Sequence, residues 1–322
     1  MDNTQSRTAL VTGTTSGLGH EAAGQFAEQG YGRVIVTGRN TQKLSTSIDR
    51  LVARTGKNVF EPLVVDNDDL ASVEAASTEL AARGGQIDVA VLNAGIAPPK
   101  DVVMTSSGLE ATVTSSLIGH HLLTMRLLEL DLLADHARIV IAGSEAARGD
   151  VPTFNPVDIR ALADQHFNGD LEAAVEAQMR VEPPATYKAG DTYASAKVFV
   201  AWWAAELARI LPAGMTVNAV SPGSTPDTNA IDNAPFYMRK LMVPLFKLMP
   251  GMSHSVADGA ARYLEVVGYG PEVTGKFFAS KPKKMTGPLT EMTYDHIDDR
   301  EGQQALWNVT TRVVGGVGYK AA

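Results

Sequence analysis

A short apolar strand expected over 7–12 (RTALVT) runs into Thr12-Gly13-Thr14-Thr15-Ser16-Gly17-Leu18-Gly19, and a helix follows at once over 16–29. Few folds accommodate that order. Gly13 permits a sharp turn, Gly17 lets the backbone come close to a pyrophosphate, and Gly19 lets the helix sit tightly on the sheet. The unsatisfied N–H groups at the helix start attract an anion. A lone glycine pattern carries little weight, whereas one placed between a strand and a helix points to a bound dinucleotide. The alternative is a glycine-rich loop with no ligand.

The same alternation continues along the chain. Strands are expected over 33–37, 59–65, 89–92, 138–142, 215–220 and 276–279, with helices over 41–54, 68–82, 109–126, 191–211 and 253–267. This is the pattern of an α/β fold, a single doubly wound parallel sheet. With 322 residues, 44% hydrophobic and 20% charged, the chain can bury a sizeable core as one domain. Arg39-Asn40 follow the second strand, where an acid would select NAD by bonding its 2′-hydroxyl. A guanidinium there pairs with a 2′-phosphate instead, which reads as NADP(H). The other reading of Arg39 is an ordinary surface arginine.

Tyr193-Ala-Ser-Ala-Lys197 places a phenol and an ammonium one helical turn apart on the same face. A phenol titrates at about 10 in water and becomes a useful base only where a nearby positive charge favours the phenolate. Lys197 is expected to supply that charge. In isolation the pair could equally be a half-buried aromatic beside a solvated lysine. Its company decides otherwise: the glycine turn upstream, Asn93-Ala94-Gly95 after an apolar strand, and Pro222-Gly223 downstream.

Together these motifs resemble the short-chain dehydrogenase/reductase family, the branch with the TGxxxGxG turn and YxxxK pair, over most of residues 7–279. In wording the chain is similar to the retinol dehydrogenase and protochlorophyllide reductase-like members. The resemblance implies a Rossmann-type sheet and hydride transfer between NADP(H) and a carbonyl, alcohol or activated C=C of an apolar substrate, in a homodimer or homotetramer. Tyr193 would give or take the proton, and Lys197 would hold ribose hydroxyls. Ser144, in Gly143-Ser144-Glu145, would orient the reacting oxygen. Asp66, beside Asn67, would reach the adenine edge. Asn93, Ala94 and Gly95 would line the cofactor cleft, Pro222 and Gly223 would pass over the nicotinamide, and Thr225 would touch its phosphate or carboxamide.

Two departures stand out. The family's fourth catalytic residue is an asparagine three positions before the equivalent of Gly119, and here that position holds Ser116. The proton relay through that residue is therefore altered or rebuilt, and a protein of the same fold that binds NADP(H) as a sensor without turnover is the rival reading. Between Ser144 and Tyr193 lies an insertion, 148–191, with Pro152, Pro156, Pro183, Pro184 and a helix expected over 169–179. It is placed near the active-site mouth as an ordered excursion.

The methionine-rich stretch over 236–252 sits where the family places a substrate lid; a dimer face or a shallow membrane contact are the other readings. Residues 280–322 form a C-terminal extension with a helix expected over 300–314. A net charge of -8, from Lys+Arg 28 against Asp+Glu 36, argues against nucleic acid as a partner. Zero cysteines exclude disulfides and a cysteine nucleophile. The seven histidines form no metal set, adjacent His120 and His121 pointing to different faces. No stretch is apolar and long enough to span a bilayer and none at the start reads as a targeting segment, so the expected location is cytoplasmic.

Overall fold

The computed structural model describes residues 7–225 and 252–317. Strands β1 (Thr8–Val11), β2 (Arg33–Gly38), β3 (Phe60–Val64), β4 (Ile87–Leu92), β5 (Leu133–Ala142), β6 (Thr216–Val220), β7 (Phe277–Ser280) and β8 (Leu289–Glu291) form one sheet in the order 3-2-1-4-5-6-7-8. Each strand from β1 to β7 runs parallel to its neighbours, and β8 pairs antiparallel with β7. The fold is the doubly wound α/β sheet that the alternation predicts.

Both faces of the sheet are covered, which explains why its strands are apolar throughout instead of alternating. On one face Leu10, Ile35, Ala90 and Ile139 meet α3 (Leu70–Arg83), α5 (Gly119–Glu129) and α8 (Ala189–Ile210). On the other, Ala9, Val11, Val34 and Val91 meet α1 (Gly17–Glu28), α2 (Thr41–Thr55) and α9 (Val256–Val267). Trp202, Trp203 and Leu207 of α8 are buried core.

Several boundaries differ from the sequence expectation. Helix α3 begins at Leu70, two residues later than expected, behind Asp69, which caps it by accepting from the Ala71 N–H at 3.0 Å. The helix expected over 109–126 is a composite. A turn of α-helix, α4 (Ala111–Val113), passes into a π-helical stretch, Thr114–Ile118, before α5 begins. A π-bulge of this kind often marks a functional site.

The insertion contributes α6 (Ile159–His166) as well as the expected helix, α7 (Leu171–Arg180). The C-terminal extension supplies β8 and α10 (Arg300–Val313). These two late additions bind each other: Arg312 reaches Glu172 at 2.9 Å and Glu176 at 2.8 Å. No helix among the described residues is long and apolar enough to cross a membrane. The stretch over 236–251 lies outside the described residues.

Candidate active site

Parallel strands put their C-terminal ends on one edge, and a crevice opens where neighbouring connections leave in opposite directions. That switch point falls between β1 and β4. The glycine turn follows β1, Arg39 and Asn40 follow β2, and Asp66 and Asn67 follow β3. Asn93, Ala94 and Gly95 follow β4, Ser144 follows β5, and Pro222, Gly223 and Thr225 follow β6. Every predicted position outside the helices thus falls on the same edge of the sheet.

The glycine turn is tight for stated reasons. Gly13 has φ 70°, and a Cβ there would stand 2.9 Å from the Ala94 Cα; a Cβ on Gly19 would stand 2.5 Å from the Gly13 carbonyl oxygen. Neither position tolerates a side chain. Ser16 flanks the start of α1 without capping it through its side chain, and no acid lies in the first turn. The first N–H groups of α1 have no intrahelical acceptor, so Thr15, Ser16, Gly17 and Leu18 frame an anion cradle. The methyl of Thr15 lies over Gly38, 2.6 Å from where a Cβ would be, and so packs beside the end of β2. Leu18, Pro222 and Thr225 converge on Gly259 of α9, each with an atom within 3.0 Å of a Cβ built there.

Arg39 is exposed and forms no hydrogen bond or ion pair with a described residue, although its charge acts on Asp68. Asn40 accepts from the Lys43 N–H at 2.9 Å, which caps α2. Asp66 accepts from the Asp68 N–H at 3.1 Å. Burial and the Asp66 charge push the Asp68 carboxyl up to about 6, with Arg39 pulling the other way. The amide nitrogen of buried Asn67 has no partner among the described residues.

On the catalytic side, Lys197 Nζ donates to the Ala142 carbonyl at 2.9 Å and approaches Ser116 Oγ at 3.4 Å. Ser116 stands in the π-helical stretch, and its hydroxyl would be 3.1 Å from a Cβ on Gly95. The Lys197 ammonium lies 5.6 Å from the centroid of the Tyr193 ring. The Ser144 side chain is near enough to the Tyr193 hydroxyl to favour its ionised form. Four predicted groups, Tyr193, Lys197, Ser144 and Ser116, therefore meet at one place.

One electrostatic expectation is corrected. The Tyr193 phenol is pushed up, not down: burial outweighs the opposing effect of the Ser144 side chain, and the nearby Glu145 charge adds to the rise. Burial also pulls Lys197 down to about 8. An unfolded lysine titrates near 10.4, so between those values the unfolded chain binds the extra proton and stability rises with pH. Lys197→Met should flatten the stability slope across about pH 8 to 10, measured by urea unfolding at several pH values.

Sequence reasoning missed the groups that hold this edge together. Thr12 Oγ1 accepts from the Asn93 N–H at 2.8 Å and the Ala94 N–H at 2.9 Å. His120 Nδ1 faces the Ser116 carbonyl at 3.1 Å, which can only accept, so the ring proton is on Nδ1. Its Nε2 then accepts from Thr12 Oγ1 at 2.9 Å, and burial keeps the ring neutral, with a pKa of about 4. Thus the end of β1 is tied through one imidazole to the backbone of Ser116.

Beneath Ser144, Glu145 is buried and accepts from Ser221 Oγ, from Ser280 Oγ at 2.9 Å and from Arg262 at 3.3 Å. Arg262, equally buried, also donates to the Ser221 carbonyl at 3.0 Å and the Gly287 carbonyl at 2.7 Å. His254 reaches the Pro222 carbonyl at 2.7 Å, and Tyr263 donates to Asn93 Oδ1 at 3.1 Å. The only local signal for Arg262 was a cation on an otherwise apolar helix face. A separate groove of about 520 Å³ between α7 and α10, walled by Asp170, Glu172 and Glu301, contains none of these residues.

Residues 7–156 match the family model described as short chain dehydrogenase. Curated relatives of that kind align along nearly the whole chain. Over residues 7–156 the chain is similar to the short-chain dehydrogenase/reductase family. It is 28% identical to the WW domain-containing oxidoreductase of Drosophila melanogaster, over 96% of this chain and 68% of that one. It is 25% identical to the chloroplastic protochlorophyllide reductase of Chlamydomonas reinhardtii, over 97% of this chain and 78% of that one. Among solved structures, a short chain dehydrogenase from Burkholderia cenocepacia in complex with NADP superposes with a TM-score of 0.58 at 25% identity, covering 84% of this chain and 94% of that one. The serine at position 116 stands where the family resemblance implies an asparagine.

Proposed function

We propose that this chain is an NADP(H)-dependent oxidoreductase acting on the carbonyl or alcohol of a small apolar substrate. The observation that carries the reading is the meeting of Tyr193, Ser144 and Lys197 on the sheet edge that also bears the glycine cradle. The residues present suit the dinucleotide: Gly13 and Gly19 leave no room for a side chain, and the uncapped start of α1 offers N–H groups to a pyrophosphate. Arg39, exposed and without an ion-pair partner among the described residues, suits a 2′-phosphate. The NADP complex of the similar Burkholderia cenocepacia protein supports the same choice.

When bound, the dinucleotide supplies or accepts the hydride at the carbon of the substrate. Tyr193 Oη gives its proton to the substrate oxygen during reduction and takes it back during oxidation. Ser144 holds that oxygen beside the phenol. Lys197 returns a proton to Tyr193 or steadies its charge, itself held by Ser116 and the Ala142 carbonyl. The raised Tyr193 pKa keeps the phenol protonated at neutral pH, which favours its service as the acid in carbonyl reduction.

The test runs NADPH oxidation with a panel of apolar ketones and aldehydes beside a binding titration. Turnover lost in Tyr193→Phe supports the reading. Tight NADPH binding with no turnover of any carbonyl would favour a sensor instead, the outcome to which Ser116 in place of the family asparagine points. For the cofactor, Arg39→Asp should weaken NADPH binding about ten- to hundredfold, the worth of one or two charge-assisted hydrogen bonds, and leave NADH binding equal or tighter. Fluorescence titration of both cofactors checks it.

A further inference from the structure

The insertion brings an aromatic ring to the proposed proton donor. Phe154 meets the Tyr193 ring edge-on, with centroids 5.8 Å apart and planes at 67°. The loop that delivers it is clamped to the first turns of α8. Asn155 donates from its backbone N–H and its side-chain amide to Asp191 Oδ1, at 3.0 and 3.2 Å. The Val157 N–H donates to Ser195 Oγ at 2.9 Å. Gly190 lets the loop lie directly on the helix, since a Cβ there would stand 2.1 Å from the Thr153 carbonyl oxygen. Thr153 itself has φ 72°, a conformation that a β-branched residue keeps only where its surroundings hold it.

This is a ring held deliberately and not a core contact. Phe154 and Tyr193 are both only half-buried, so neither residue is wholly enclosed by its neighbours. Aromatic rings prefer such edge-on pairs and offer a further flat, apolar surface to a third group. We propose that Phe154 is a specificity-determining residue: its ring is the wall against which the substituent on the substrate carbonyl packs, selecting carbonyls that bear a flat apolar group over small aliphatic ones. The proposal rests on Tyr193 being the proton donor.

The experiment compares kcat/KM for an aryl methyl ketone and for 2-butanone, with NADPH, in the unaltered protein, Phe154→Ala, Phe154→Tyr and Tyr193→Phe. In Phe154→Ala the aryl-to-aliphatic ratio should fall about three- to tenfold, mostly through KM of the aryl ketone, and Phe154→Tyr should restore it. Should the alanine variant be unstable, Phe154→Leu, which keeps apolar bulk without the flat ring, carries the same expectation. A ratio that does not move, or that moves equally in Phe154→Tyr, overturns the assignment while loss of activity in Tyr193→Phe leaves the catalytic reading standing. Full activity in Tyr193→Phe, or no turnover of either ketone by the unaltered protein, overturns both.

Discussion

Tyr193→Phe should lose about 10² to 10⁴ of turnover, the usual worth of a positioned proton donor, while still binding NADPH. The substitution removes one oxygen and little else. The ring keeps its edge-on neighbour Phe154 at 5.8 Å, and Lys197 keeps the Ala142 carbonyl at 2.9 Å. Ser144 retains its second role, capping the 3-10 turn Glu145–Arg148 by accepting from the Ala146 N–H at 3.2 Å. With the fold and the cradle intact, a drop in kcat at unchanged NADPH affinity isolates the proton step. Retention of more than about a tenth of the rate would remove Tyr193 from the chemistry.

Breaking the ion pair of Glu145 and Arg262 should produce the largest loss of stability. Their side chains are only 2% and 5% exposed, so neither charge has water to fall back on. Glu145→Gln keeps the shape but leaves the Arg262 guanidinium buried without a counter-charge, which costs about 3 to 5 kcal/mol. For a chain of this size that is a melting temperature lower by roughly 4 to 7 °C. The double variant Glu145→Gln with Arg262→Met should recover part of the loss, because no orphaned charge remains. Equal losses in the single and double variants would mean that the network contributes through packing alone. Activity should fall with stability in Glu145→Gln, since Ser144 precedes this acid and Ser221, its partner, precedes Pro222 and Gly223.

Features written in neighbouring residues were legible before the structure. Gly13, Gly17 and Gly19 follow a strand and open a helix, and Tyr193 and Lys197 share a helix face, so spacing alone locates them. The alternation of strands and helices gave the sheet for the same reason. Groups that meet only after folding were not legible. Glu145 and Arg262 lie on different elements, and the imidazole of His120 links Thr12 to Ser116 across the core. Phe154 was hidden because nothing local says which residue of a proline-rich insertion will touch Tyr193. The sign of the Tyr193 shift went astray on a competition of magnitudes: a lysine one turn away was weighed, and the desolvation of the phenol was not. The start of α3 moved from position 68 to Leu70 because Asp66, Asn67, Asp68 and Asp69 are all residue types that cap helices, and sequence alone does not choose among them.

The outer border of the sheet is made from the last part of the chain. Without β8, the parallel ladder would finish on Phe277 and Phe278 of β7, an apolar rim of open amides able to recruit another molecule's strand. β8 covers it with three residues running the opposite way and ends at Glu291, which pairs with Lys276 at 2.7 Å. So short and charged a hem gives a stray strand little to fasten on. What reads in the sequence as an appendage is the selvedge of the sheet, occupying an edge that would otherwise present unpaired amides.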